Sequence, residues 1–202
     1  MKYLIGIDEA GRGPLAGPVS VGAVTVPLDF DWKLVAGAKD SKKMTPKSRE
    51  ILYSTMTTLR ENGTLDFAVA FSSSSMIDQY GIVPSIKSAL ARALNKTLLT
   101  KNLEASPLGF EILLDGGLRA PLEFAHQRTI IRGDQSEPVI SLASIAAKVE
   151  RDRLMVRLSK KFPTYQLGVH KGYGTALHRR LILEHGLSEI HRRTFCRALI
   201  SS

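Results

Sequence analysis

Cysteine is almost absent from the chain: Cys196 is the only one in 202 residues, which excludes an intrachain disulfide. No stretch approaches the roughly 20 apolar residues of a membrane span, so a spanning helix is excluded and no membrane partner is expected. The N-terminus lacks a long apolar segment followed by a cleavage pattern, because Asp8 and Glu9 interrupt the first apolar run. There is no internal repeat, and Ser72 to Ser75 is too short to be a low-complexity linker. Zinc finds no home either. His170, His178, His185 and His191 are scattered at spacings that match no zinc pattern, and they are expected at the surface or behind a site. These absences predict a cytoplasmic protein and, at this length, a single domain over residues 1–202.

What is present is a hydrophobic fraction of 44%, enough for a real core, and a net charge of +9. The charge is uneven. Lys148 to Arg197 holds twelve Lys and Arg against four Asp and Glu, whereas the rest of the chain holds sixteen against fifteen. A basic end on a near-neutral body suggests a polyanionic partner.

The first fourteen residues concentrate the chemistry. Tyr3–Ile7 is an apolar run of strand length that delivers Asp8 and Glu9, followed by the turn-forming Gly11-Arg12-Gly13-Pro14. Val19–Val26 reads as a second strand, ended by Pro27. With only a turn-rich stretch between them, the two predict an antiparallel hairpin. Residues 28–44 read as a loop, and Thr45-Pro46 opens a helix to about Asn62. Leu65–Ser72 reads as a strand, Ser72 to Ser75 as a turn and helix cap, Ile82–Leu99 as an amphipathic helix and 102–108 as a loop. Gly109–Leu114 is a strand delivering Asp115, and His126–Ile131 is one delivering Gly133-Asp134. Pro138 to about Lys161 is a long helix with Val139, Leu142, Ala143, Ala146 and Val149 on one side. Its other side, from Glu137 through Ser141, Ser144 and Lys148 to Arg151, reads as a stripe facing phosphate. Residues 162–174 read as a loop, Thr175–His185 as a helix ended by Gly186, and 187–199 as a last basic segment. The pattern is α/β with a mixed sheet.

Asp8, Glu9, Asp115 and Asp134 thus sit at or near strand ends that one edge of a sheet can bring together. Hard divalent cations take such oxygen ligands, and two ions ~4 Å apart can activate water and stabilise a leaving oxygen. Adjacent strand residues face opposite sides, so Asp8 and Glu9 share a site only if their strand ends there.

The string Asp8 through Val19 resembles the opening motif of ribonuclease HII, the type 2 ribonuclease H family in its bacterial form. Arg12 stands where the related ribonuclease HIII has Lys. Asp40-Ser41-Lys42-Lys43, Leu114-Asp115-Gly116, Gly133-Asp134 with Ala143 through Lys148, and His170 through Thr175 with His178 resemble the family's other blocks, in family order. The resemblance implies a ribonuclease H-like fold, a mixed central sheet flanked by helices, with the basic C-terminal helical part (about 162–202) packed on it. It implies an endonuclease that cuts the RNA strand of RNA–DNA hybrids and nicks 5′ of single ribonucleotides in duplex DNA, leaving 5′-phosphate and 3′-hydroxyl. Asp8, Glu9, Asp115 and Asp134 would be catalytic and hold two Mg2+ or Mn2+. Gly11, Arg12 and Gly13 would contact the ribose 2′-hydroxyl, Tyr173 would stack on the next sugar, and Lys42, Ser144 and Lys148 would hold phosphates. A monomer is expected, with no protein partner named. Two rival readings are a hybrid nuclease without single-ribonucleotide activity and a non-catalytic nucleic-acid-binding module. Gly116-Gly117, where the family pattern has Gly-Asn, and Leu142 depart from that pattern.

Overall fold

The structure is a computed structural model that describes residues 2–37, 44–100 and 109–200. The Asp40 to Lys43 block, with Lys42, and the 102–108 loop lie outside the described residues.

Five strands form one mixed sheet in the order β3-β2-β1-β4-β5. β1 (Tyr3–Ala10) and β2 (Val19–Pro27) make the expected antiparallel hairpin, in register from Tyr3 opposite Pro27 to Ala10 opposite Ser20. β3 (Asp66–Ser72) extends it on one side. On the other, β4 (Phe110–Asp115) and β5 (Gln127–Ile130) run parallel to β1.

Strand alternation sends side chains to two cores. Ile5, Ile7, Val21, Ala23, Ile112 and Leu114 meet α3 (Ile82–Thr100) through Ile86, Leu90, Ala93 and Leu94. Val24, Val26 and Leu113 face the opposite way, towards α5 (Pro138–Lys161) and Leu52, Tyr53 and Met56 of α1 (Pro46–Glu61). α1 begins as its sequence dictates, with Thr45 Oγ1 accepting from the Ser48 N–H and Pro46 at the first position. Ser73 caps α2 (Ser74–Tyr80) in the same way.

α5 lies with its backbone on the sheet. A Cβ on Gly6 would meet the Val139 carbonyl oxygen at 2.3 Å, and one on Gly22 the Ala143 carbonyl oxygen at 2.3 Å. Such contact buries the helix far beyond one stripe. Ser141, Ser144 and Arg151 of the presumed phosphate-facing stripe are all buried. Leu142 is a core residue as well.

Towards the C-terminus, the 162–174 segment is more ordered than its glycines suggest. It contains a short 3-10 turn (Pro163–Tyr165) and α6 (Leu167–His170), after α4 (Gly133–Ser136) and α5 in chain order. The buried Tyr165, Leu167 and His170 anchor these turns. α7 (Ala176–His185) and α8 (Arg193–Ile200) follow. Asp78 of α2 caps α8 by accepting from the Arg193 and Thr194 N–H groups at 2.8 and 3.0 Å.

The histidines, expected at the surface or behind a site, take both positions. His185 is exposed, but His170, His178 and His191 are buried as a cluster. The His170 and His178 rings stack at 4.2 Å, and Tyr165 meets His191 edge-on at 4.6 Å. The hydrogen bonds explain why burial is tolerated. The Ser188 N–H donates to His191 Nδ1 at 3.0 Å, which leaves the His191 proton on Nε2, 3.2 Å from His178 Nε2. His178 Nδ1 then donates to the Tyr173 carbonyl at 3.0 Å. The Gly172 N–H donates to His170 Nδ1, and His170 Nε2 donates to the Tyr165 carbonyl at 2.8 Å. Every ring nitrogen is satisfied when the cluster is neutral.

An added proton would disturb this chain. Burial pushes His178 and His191 down to about 4, with neighbouring His170 adding to the effect, and burial lowers His170 too. The unfolded chain therefore takes up protons first. The stabilisation is complete above roughly pH 6.5 and is lost as pH falls towards about 4. Urea midpoints are expected to fall steadily from pH 7 to pH 4.5, with His178 and His191 still neutral by NMR at pH 5.5. A flat midpoint, or early protonation of either ring, would refute this account.

Candidate active site

The acids meet because two neighbouring strands differ in length. Pairing of β1 with β4 ends at Ile7 opposite Leu114, while pairing with β2 continues to Ala10. Asp8 and Asp115 therefore emerge side by side where the parallel half of the sheet stops. β1 does not end at Asp8, contrary to the condition its sequence seemed to require. Asp8 points towards α5 and Glu9 towards α3, yet both line one cavity of about 520 Å³, since the neighbour that would separate them has stopped.

Asp8 is buried and accepts from the Glu9 N–H at 2.7 Å and from the Ser144 hydroxyl. Burial first, then the charges of Glu9 and Asp115, hold its carboxyl well above the usual carboxylate range, even though these hydrogen bonds oppose the shift. Glu9 is half-buried and paired with Arg12 at 2.9 Å. Asp115 also lines the cavity. Asp134 does not. It is buried in the first turn of α4, where its N–H donates to Asp115 Oδ1 at 3.3 Å.

The same cavity is lined by Gly11, Arg12, Gly13, Ser144, Lys148 and Tyr173. Tyr173 is 40% exposed, with Lys148 Nζ 5.5 Å and Arg151 Cζ 5.7 Å from its ring centroid. It is thus presented to the cavity and backed by cations. Lys148 also pairs with Asp152 at 2.9 Å. Gly11 has φ +87°, and a Cβ there would lie 2.0 Å from Arg151 Nε. Its missing side chain makes room for that guanidinium, whereas Gly13 faces open space. Arg49 joins the cavity wall unforeseen. A cation in the first turn of α1 opposes the helix dipole, and that misfit was the available signal.

A model of the ribonuclease HII family matches residues 5–198. The ribonuclease HII of Caldicellulosiruptor bescii is 38% identical over 200 residues, covering 99% of this chain and 89% of that one. Among solved structures, ribonuclease H2 from Pyrococcus horikoshii is similar with a TM-score of 0.74 at 25% identity, over 98% of this chain and 97% of that one. Bst-RNase HIII in complex with Mn2+ is similar with a TM-score of 0.72 at 18% identity, over 100% of this chain and 71% of that one. The chain belongs to the ribonuclease HII family. It is a ribonuclease H endonuclease, with the mixed sheet and flanking helices of the ribonuclease H-like fold, and it acts on the RNA strand of RNA–DNA hybrids.

The donor set of this ribonuclease HII fits a hard divalent cation. The ligands at hand are carboxylate oxygens, with Asp8, Glu9 and Asp115 lining one cavity. Among the described residues no three acidic, histidine or cysteine side chains converge as a ready-made metal cage. A Mg2+-type site takes one or two carboxylates and leaves its remaining positions to water and phosphate.

The raised Asp8 carboxyl also has a cost. Its folded value lies above the unfolded one, so its contribution to stability in metal-free buffer is present at low pH. That contribution is lost as pH rises above the ordinary carboxylate range. Asp8→Asn is expected to abolish nearly all cleavage while keeping or raising the melting temperature at pH 7 in the presence of a chelator. Near-normal turnover, or a clearly lower melting temperature, would overturn this reading of Asp8.

Proposed function

We propose that this ribonuclease HII cuts both continuous RNA–DNA hybrids and single ribonucleotides in duplex DNA, nicking on the 5′ side of the ribonucleotide. The observation that carries the reading is the single cavity. Its lining includes Asp8, Glu9 and Asp115 together with Gly11–Gly13 and Tyr173. The acids and the Gly11–Gly13 turn thus share one space.

Two Mg2+ or Mn2+ ions, held by Asp8, Glu9 and Asp115 with Asp134 behind them, would supply the positive charge that water attack on phosphorus and departure of the 3′ oxygen require. The chain's own side chains do the rest. Ser144 orients Asp8 through its hydroxyl. Arg12 restrains Glu9. Lys148 and Arg49 present cations to substrate phosphates at the cavity wall, and Lys42 is proposed as a further phosphate contact. The Gly11–Gly13 backbone approaches the ribose closely enough to meet its 2′-hydroxyl, the group that separates RNA from DNA. The Tyr173 ring stacks on the following deoxyribose. Breaking the bond to the 3′ oxygen leaves a 3′-hydroxyl upstream and a 5′-phosphate on the ribonucleotide. We further propose that the chain works as a monomeric catalytic domain.

The second reading, a hybrid nuclease without single-ribonucleotide activity, is disfavoured by the exposure of Tyr173 at the cavity. Cleavage of a continuous hybrid and of a duplex with one ribonucleotide, with and without Mg2+, tests the choice. Both are expected to be cut, and only with the metal. Stacking on nucleic acid is worth ~1–3 kcal/mol, so Tyr173→Ala is expected to lose roughly one to two orders of magnitude on the single ribonucleotide. The loss should be smaller on the hybrid, which offers alternative registers. Tyr173→Phe should keep much of the activity. Equal losses on both substrates with a lowered melting temperature would return Tyr173 to a packing role.

A further inference from the structure

Arg192 is fully buried, yet no carboxylate is paired with its guanidinium among the described residues. Its three nitrogens instead donate to backbone carbonyls: Nη2 to Gly11 at 2.7 Å, Nη1 to Arg12 at 2.9 Å and Nε to Gly17 at 3.0 Å. The segment around it is pinned as well. The Arg192 N–H donates to the Leu15 carbonyl and the Gly17 N–H to the Ile190 carbonyl, both at 2.8 Å, making a small bridge between Ala16 and His191.

The consequence lies in the peptide planes. In a planar trans peptide the carbonyl of one residue and the N–H of the next point in opposite directions. Drawing the Gly11 and Arg12 carbonyls inward turns the N–H groups of Arg12 and Gly13 outward. Arg12 and Gly13 both line the cavity, and neither N–H has an acceptor among the described residues. The Arg12 side chain is turned towards Glu9, to which its Nη1 donates at 2.9 Å. A fork of rigid donors can fix two successive carbonyls at once, and the point charge of a lysine cannot.

We infer that Arg192 is a positioning residue for ribonucleotide recognition: from 180 residues away it sets two adjacent backbone amides to face the ribose hydroxyl. The inference rests on the proposed contact of Gly11–Gly13 with the ribose and adds the residue that makes that contact possible. It also separates Arg192 from the cations that meet phosphate.

The test compares wild type with Arg192→Lys, which keeps the charge and loses the fork. Two duplexes of one sequence are used, one all DNA and one with a single ribonucleotide. Fluorescence anisotropy in metal-free buffer gives the affinity ratio, and 15N NMR follows the Arg12 and Gly13 amides. In wild type these two amides are expected to shift with the ribonucleotide duplex beyond their response to DNA. In Arg192→Lys the preference for the ribonucleotide duplex is expected to fall about tenfold, the scale of one lost hydrogen bond. A variant that weakens on both duplexes with its preference intact would make Arg192 merely structural and overturn the inference. Should Arg192→Lys not fold, wild type decides. Slow solvent exchange of the Arg192 Nη protons, with ribonucleotide-dependent shifts at Arg12 and Gly13, supports the inference; two unresponsive amides overturn it. A protein that fails to cut the hybrid with Mg2+ would instead sink the nuclease reading, an outcome visible in a separate assay.

Discussion

Two buried guanidiniums tie the start of the chain to its end. Arg151 donates to the carbonyls of Pro18, Lys171 and Ala16, at 2.9, 3.0 and 3.3 Å, and Arg192 donates to those of Gly11, Arg12 and Gly17. Removing a cation from water costs several kcal/mol, and an unpaired buried charge is among the more destabilising defects known. Here about six hydrogen bonds from charged donors, each worth about 1.5–3 kcal/mol net, offset that cost. Burial and the nearby Arg151 lower Arg192 to about 9, which keeps it charged at neutral pH. The turn after β1, the loop bearing Tyr173 and the approach to α8 therefore form one unit. None of the three can shift without exposing a guanidinium to a partner it lacks.

This arrangement alters the meaning of the basic stretch from Lys148 to Arg197. Its twelve cations looked like a surface for a polyanion. Two of them, Arg151 and Arg192, are wholly interior, and Arg153, Lys161 and Arg180 are engaged with Glu50, Glu189 and Glu184. Composition records charge without recording depth. Arginine is the residue for which the two diverge most, because its fork can be satisfied by carbonyls alone.

The sheet and the acids could be read from the sequence for a local reason. Apolar runs of strand length followed by turn residues leave few alternatives, and Asp8 and Asp115 lie directly after such runs. The hairpin followed from the shortness of its connection, and the capped start of α1 from Thr45-Pro46. What escaped depends on contacts far apart in sequence. The burial of His170, His178 and His191 is created by Tyr165, Ser188 and the carbonyl of Tyr173, none of which marks a histidine as interior. The polar stripe of α5 read as facing phosphate along its whole length because helical periodicity ranks faces by polarity and does not record depth. The glycines of β1 and β2 let that helix come so close that Ser144 is drawn under Asp8. Arg49 was visible only as a cation on the wrong end of a helix.

The pairing of Asp8 with Glu9 shows how such a long-range fact decides a local question. Alternation along a strand sets two neighbouring carboxylates on opposite faces, an arrangement that ordinarily keeps them apart. Ending the strand would bring them together, but would also free both side chains to move apart under their own repulsion. The structure ends the neighbour instead. β1 remains paired with β2 through Ala10, so the backbone under both acids stays fixed, while β4 stops at Asp115 and opens the edge between them. Ser144 and the Glu9 amide then hold Asp8, and Arg12 holds Glu9. The carboxyls are kept close by rigid supports, and burial, with smaller contributions from Glu9 and Asp115, holds Asp8 well above its ordinary range. A cation bound there would offset both the burial of the Asp8 charge and its repulsion from its neighbours, so the strand mismatch that brings the acids together also favours binding one there.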